Sequence, residues 1–207
     1  LLERGRNVAQ GAALMTGTEV SDSILAAVSN ILPNDPLCDA MQRNLDMLGP
    51  PPFEEDDFVY ADGFAKTFSN EDIGESYKSV GIIPTNDLSL PNFVVPEGVA
   101  PQSLGGSTDV GDVSWVVPTV QMWGGNYAIG TPFHSWQMVA QGKSPMAYKG
   151  LTHAASVMAA TAVDVILDSE LRAKALVDLK SRVGSDGYIC PLPEGSSPPI
   201  EAMGGHL

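Results

Sequence analysis

The sequence predicts an α/β fold, on three observations. Val113-Ser114-Trp115-Val116-Val117-Pro118-Thr119-Val120-Gln121-Met122-Trp123 is a nearly continuous apolar, β-branched run between Gly-rich segments, the pattern of a strand buried on both faces of a sheet. A long Ala-rich helical pattern follows, with Ala147, Leu151, Ala154, Ala155, Met158, Ala162, Val165 and Ile166 on one stripe. A further amphipathic pattern, Leu171, Ala175, Leu179 and Val183, stops at Gly184. A buried strand followed by a helix that can approach it closely belongs to a layered α/β arrangement.

From the start of the chain, Val8, Ala9, Ala12 and Ala13 fall near helical spacing over Leu2 to Met15, with Gly17 as the C-cap. Thr18 to Leu32 reads as extended, although Val20, Ile24, Val28 and Leu32 also fit a helical turn. Asp35 and Pro36 form an N-cap and first-turn pair for a helix through Leu37, Met41, Asn44, Leu45 and Leu48, ended by Gly49 and Pro50. Acidic residues Glu54-Glu55-Asp56-Asp57 open another helix with Phe58, Ala61, Phe64, Ala65 and Phe68 on one face, where they suit the positive end of the helix dipole. Ser69 to Gly106 is polar, rich in Pro and Gly, and shows no clear period, which predicts a long loop. Ser144 and Pro145 cap and open the Ala-rich helix, and the Pro-rich tail after Gly184 predicts no regular structure.

Composition bounds the class. A chain of 207 residues suits one domain, or a large domain with a small neighbour. With 43% hydrophobic and 17% charged residues the chain has the material for a core rather than for disorder. A formal charge of −14, from 25 acidic and 11 basic residues, argues against nucleic acid or an anionic membrane as partner. No unbroken run of about 18 apolar residues suggests a membrane span. Two cysteines, Cys38 and Cys190, suit reduced thiols in a cytoplasmic protein better than a disulfide framework. The opening residues lack an initiator Met and read like the middle of a helix, so a piece of something longer is expected.

Chemistry-bearing residues are densest from Gly105 to Trp136. Asp109 and Asp112 lie three apart in the Gly-rich stretch before the predicted strand, and Thr131, His134 and Ser135 lie just beyond it. Ligands in open α/β sheets sit at strand ends. The competing reading makes Asp109 and Asp112 turn or cap residues and His134 a satisfied loop histidine. No Gly-x-Ser-x-Gly elbow supports a serine nucleophile, and neither cysteine has a nucleophile's local signature. His153, inside the long helix, reads as a surface or packing residue, and His206 as part of a frayed end.

The sets Gly105 to Trp115, Val117-Pro118-Thr119, Phe133-His134-Ser135-Trp136 and Lys149-Gly150 resemble the C-terminal half of a metal-dependent amidohydrolase. Gly11 to Thr18, Leu32-Pro33-Asn34 and Gly187 to Pro193 extend the resemblance over nearly the whole chain. The family is peptidase M20, in its aminobenzoyl-glutamate utilisation branch. The resemblance implies residues 1–33 as the last helix and strand of a small α/β lid that makes a homodimer. It implies residues 34–207 as the returning half of a mixed-sheet, zinc-peptidase-like catalytic domain. It further implies hydrolysis of N-acyl amino acids or small peptides with two divalent ions, zinc or manganese. His134 matches the family's last metal ligand, Asp109 and Asp112 would shape the site from behind, and Thr131 or Ser135 would contact substrate.

The family's His-x-Asp pair, bridging carboxylate and Glu-Glu pair with the general base have no counterpart here. A two-metal site needs several carboxylate and imidazole ligands, and one histidine with two nearby acids falls short even of the three protein ligands of a single catalytic zinc. The chain alone is therefore expected to be inactive and to need a missing N-terminal half. The alternative is a non-catalytic interaction module that kept the fold and lost the metal site, with Leu2 to Leu32 pairing with another chain.

Overall fold

The computed structural model describes residues 1–83, 88–99, 106, 108–200 and 204. Among them the architecture is helical, which overturns the α/β expectation: eight helices are present and no strand. They are α1 (Leu2–Thr16), α2 (Asp35–Leu48), α3 (Glu55–Ala65), α4 (Asn70–Ser79), α5 (Val110–Ser114), α6 (Trp136–Gln141), α7 (Pro145–Leu167) and α8 (Ser169–Val183).

The predicted strand is the main correction. Its first residues belong to the short helix α5, and the remainder to Trp123 is irregular backbone. A strand exists only against a neighbour that completes its N–H and C=O ladder, and no segment among the described residues does so. Pro118 also has no N–H to contribute. Instead of being buried on both sides, Val113, Val116, Val117 and Trp123 are each about half exposed.

α2, α7 and α8 form the organising triangle. Leu37 and Ala40 of α2 meet Leu171 and Ala175 of α8 in one core, with Val120 and Val165 against it. The N-cap of α2 is Asn34 rather than Asp35. Its side-chain oxygen accepts from Leu37 N–H while its amide donates to Ala175 O at 2.9 Å, so one buried side chain both starts α2 and ties it to α8. Asp35 is freed for Arg182 of α8, 2.7 Å away. Asn44, also buried, donates to Asp164 Oδ2 of α7 at 2.7 Å.

A second core lies at the other end of α7, where Met146 meets Ala61, Leu90 and Ala128, ringed by Phe53, Phe58, Phe64 and Phe68. The aromatic stripe read on α3 therefore is its core face. Asp57 in the acidic first turn is buried and does two jobs. It accepts from Glu54 N–H in a capping box and from Lys149 Nζ of α7 at 2.6 Å. α4 occupies part of the predicted loop, opened by a capping box between Ser69 and Asp72.

α7 begins as the sequence predicts, with Ser144 Oγ accepting from Ala147 N–H and Pro145 in the first turn. Its buried face is Met146, Ala147, Gly150, His153, Val157 and Thr161, which shares only Ala147 with the predicted stripe. Leu151, Met158 and Ile166 of that stripe stand exposed, so the helix is apolar on two faces and uses one. Against the expectation from unbroken runs, α7 is by length and composition long and apolar enough to cross a bilayer. Here it lies against α2 and α8. His153 is a packing residue, its Nε2 bonded to Gly49 O at 2.7 Å. Gly150 permits close approach: a Cβ there would meet Gly125 O and sit 2.8 Å from Asn126 Cα.

The total accessible surface is 14077 Å², whereas a compact monomer of this mass exposes about 9,300 Å². Exposed large apolar side chains stand on α1, α7 and the 113–123 segment, among other places. α1 ends as predicted at Gly17 and carries exposed Val8, Leu14 and Met15, with Ala13 its one buried residue.

Candidate functional site

The turn carrying His134 is built from the second core outward. Ala128 is fully buried, and Ile129 N–H donates to Ser89 O at 2.9 Å. Gln141, at the end of α6, is 1% exposed and acts as a clamp. Its Oε1 accepts from Ala128 N–H at 2.8 Å and its Nε2 donates to Thr131 Oγ1 at 3.0 Å. Thr131 in turn donates to Ala128 O. Gly130 occupies a backbone with φ +94° directly against Ile73 of α4, where any side chain would be both strained and crowded. Its N–H donates to Ser76 Oγ at 3.0 Å.

His134 follows with φ +59°, the one non-glycine left-handed residue among those described. For an L-residue this conformation costs about 1–2 kcal/mol, and such strain persists where surrounding structure holds it, most often at functional sites. The imidazole is exposed and makes no hydrogen bond or ion pair among the described residues, so the strain serves no internal contact of that side chain. The turn thus presents an uncommitted imidazole on a clamped backbone.

The other candidates are committed. Thr131 is buried in the Gln141 clamp. Ser135 caps α6, accepting from Met138 N–H at 3.2 Å and donating to Pro132 O at 2.7 Å. Asp112 belongs to a separate joint: its Oδ1 accepts from Ser29 Oγ and from Tyr188 OH, both at 2.8 Å. The Ser29 and Tyr188 hydroxyls hold its carboxyl below the usual carboxylate range, and Asp112 pushes the Tyr188 phenol up. Trp115 Nε1 donates to Asn30 O and Ser114 Oγ accepts from Leu32 N–H, so residues 29–32 are bound along α5. A Cβ on Gly111 would collide with Ser29 O, so this seam needs a glycine. Asp109 precedes α5, exposed and without a capping bond. Nothing described bonds either aspartate to His134. Gly105, Ser107 and His206 lie outside the described residues.

Sequence reasoning missed the Gln141 clamp and the Lys149 tie to α3. Gln141 carries no sequence signal, since an isolated glutamine reads as surface. The donor set also tests the metal expectation: among the described residues no group of three or more His, Cys, Asp or Glu side chains could hold an ion. Among the described residues the metal expectation is thus left with His134 as a candidate ligand and no assembled group around it.

No protein-family model and no solved structure matches the chain. It is 34% identical to a subunit of the p-aminobenzoyl-glutamate hydrolase of Escherichia coli (strain K12) over 208 residues, which are 96% of this chain and 43% of the relative. The chain thus spans less than half of that relative's length. Nearly all of it is therefore similar to part of an amidohydrolase-like hydrolase subunit.

Proposed function

We propose that this chain is part of a metal-dependent amidohydrolase of the M20 type, acting on an N-acyl amino acid such as aminobenzoyl-glutamate. The observation that carries the reading is His134, an exposed imidazole held in a left-handed backbone by a buried clamp, in a chain similar to a hydrolase subunit. In the reaction, water adds to the amide carbonyl and the C–N bond breaks, releasing the acyl carboxylate and the amine of the amino acid. His134 would hold one side of a divalent ion, zinc or manganese. Such an ion supplies Lewis-acid polarisation of the carbonyl and activation of the attacking water. The remaining ligands and the general base would come from polypeptide that this chain does not contain.

Within this chain, Gln141 and Thr131 fix the turn, Ser135 starts the helix that follows, and the Asp112 joint holds α5 to residues 29–32. α1 and its exposed apolar side chains would supply a subunit contact, consistent with a homodimer. The excess exposed surface also favours a second reading, an interaction module whose work is assembly alone. The two separate on one experiment. The chain is joined or co-expressed with the portion of such a hydrolase that it does not span, and aminobenzoyl-glutamate hydrolysis is assayed with and without zinc. Metal-dependent hydrolysis lost in His134→Ala supports the hydrolase. No hydrolysis under any metal favours the assembly module, and metal-dependent hydrolysis untouched by His134→Ala removes His134 as the ligand.

A further inference from the structure

A groove of ≈ 580 Å³ runs between α2, α7 and the irregular segment 118–122, lined by Leu37, Met41, Val120, Met122, Met158 and Ile166 among others. No charged side chain lines it, in a chain whose net charge is −14. Leu37 also belongs to the core between α2 and α8, and Val120 and Val165 pack against that core, so the groove is its open side. Permanent interfaces resemble a domain core cut in half.

The backbone along the groove is open as well. From Thr119 to Trp123 no backbone N–H or C=O bonds to another described residue, and none of these residues is buried. Backbone groups covered from water are almost always paired. Whatever fills the groove must therefore bring donors and acceptors along this stretch as well as apolar groups. A polypeptide brings both: main-chain bonds give affinity and side-chain pockets give specificity. A lipid tail or a small apolar molecule leaves the backbone groups unserved.

Two quantities point to the source of that polypeptide. The accessible surface of 14077 Å² exceeds that of a compact monomer of this mass by roughly 4,800 Å². A standard interface buries about 1,600 Å² in total, so one subunit contact would leave most of the excess open. The chain also covers only 43% of the relative's length. A second copy fits the groove poorly, since two concave surfaces facing across a twofold axis enclose a void instead of a packed contact.

We propose that the groove and the backbone of residues 119–123 seat a polypeptide segment from the portion of the hydrolase subunit that this chain does not span. The contact is internal to one subunit and separate from the α1 surface assigned above to the homodimer. This rests on reading the chain as part of a longer hydrolase subunit.

The test is hydrogen–deuterium exchange of residues 119–123 in two proteins. One is the present chain, and the other a chimera in which it replaces the matching part of the Escherichia coli subunit. In the present chain these amides should exchange at close to the unstructured rate, and in the chimera about 100-fold more slowly. Met158→Asp and Ile166→Asn, both at exposed positions, should each cut that protection by at least about tenfold. In the present chain the same variants should move the Tm by no more than roughly 4 °C. Leu14→Asp, at an exposed position of α1, should leave the protection unchanged. Amides already slow in the present chain, with a dimer by sedimentation, make the occupant a second copy and overturn the proposal. So does a chimera, or the two pieces co-expressed, whose amides exchange as fast as in the chain alone or whose protection ignores both groove variants. The two readings fail separately. A chimera that protects residues 119–123 without hydrolysing aminobenzoyl-glutamate removes the enzyme and keeps the docking. Hydrolysis with those residues unprotected removes the docking and keeps the enzyme.

Discussion

Replacing Gly150 with alanine sets two effects of opposite sign against each other. In a helix interior alanine is favoured over glycine by about 1 kcal/mol. Yet the new Cβ would sit 2.6 Å from Asn126 Cβ and 2.8 Å from Asn126 Cα, and would collide with Gly125 O. Carbon atoms pack at about 3.5–4.0 Å, so α7 must withdraw by roughly 1 Å from residues 125–126. The obstructing atoms are backbone and Cβ, not the tip of a flexible side chain, so the overpacking cost belongs near the upper end of its range, about 3 kcal/mol. The net loss is about 2 kcal/mol, a fall in Tm of roughly 4–8 °C for a chain of this size. Thermal unfolding followed by circular dichroism measures it. A Tm that rises by about 2–4 °C, the helix-propensity gain acting alone, would refute the close-approach argument.

Three further outcomes follow from the same structure. His134→Gly should raise stability by up to about 1 kcal/mol by removing left-handed strain, whereas His134→Val should lower it by about as much; denaturant titration of both decides. The Asp57–Lys149 pair should give a pH-flat Tm through the neutral range. Burial pushes the Asp57 carboxyl up, but the Glu54 N–H and Lys149 outweigh this and hold it low, and Lys149 is raised by its bonds to Asp57 and Glu54. A lowered acid stabilises above its unfolded pKa of about 3.9 and loses this as pH falls through the folded value. The raised lysine stabilises below about 10.4 and loses it as pH rises through its folded value. In Lys149→Met the acid limb should move to higher pH, and an unmoved limb would contradict the pairing. Asp112→Ala should let Tyr188 ionise at lower pH, read by the ultraviolet absorbance of tyrosinate, and should speed proteolysis of the tail after Gly184.

What could be read from the sequence depended on whether the signal was local. The caps at Ser144 and Gly17, the aromatic face of α3 and the repeat of α8 are decided by residues within a few positions, and they appear in the structure as read. The capping box Ser69-x-x-Asp72 was equally local, and α4 could have been found from it. The segment 113–123 failed because hydrophobicity reports a need for burial, not its form. Without a partner edge, an apolar β-branched run has no ladder to join. α7 misled for a related reason: it has two apolar faces, and the one with small residues and His153 faces the chain's own core while the Leu151, Met158 and Ile166 face does not. Of the candidate residues, His134 stood out by its type and position, but its left-handed backbone carries no sequence signal. Asp112 was visible as an acid, and only the long-range contacts with Ser29 and Tyr188 show that its carboxylate is occupied.

The most direct measurement is kcat/KM for aminobenzoyl-glutamate, with zinc supplied, in a protein that contains this chain together with the portion of such a hydrolase it does not span. Removing a metal ligand forfeits several kcal/mol of transition-state stabilisation, so His134→Ala should reduce the value by at least about 100-fold. In the same variant the Tm should shift by no more than roughly 2 °C, as for a surface change of under about 0.5 kcal/mol. Full activity in His134→Ala, with zinc still required, would contradict the assignment of this turn to the catalytic metal.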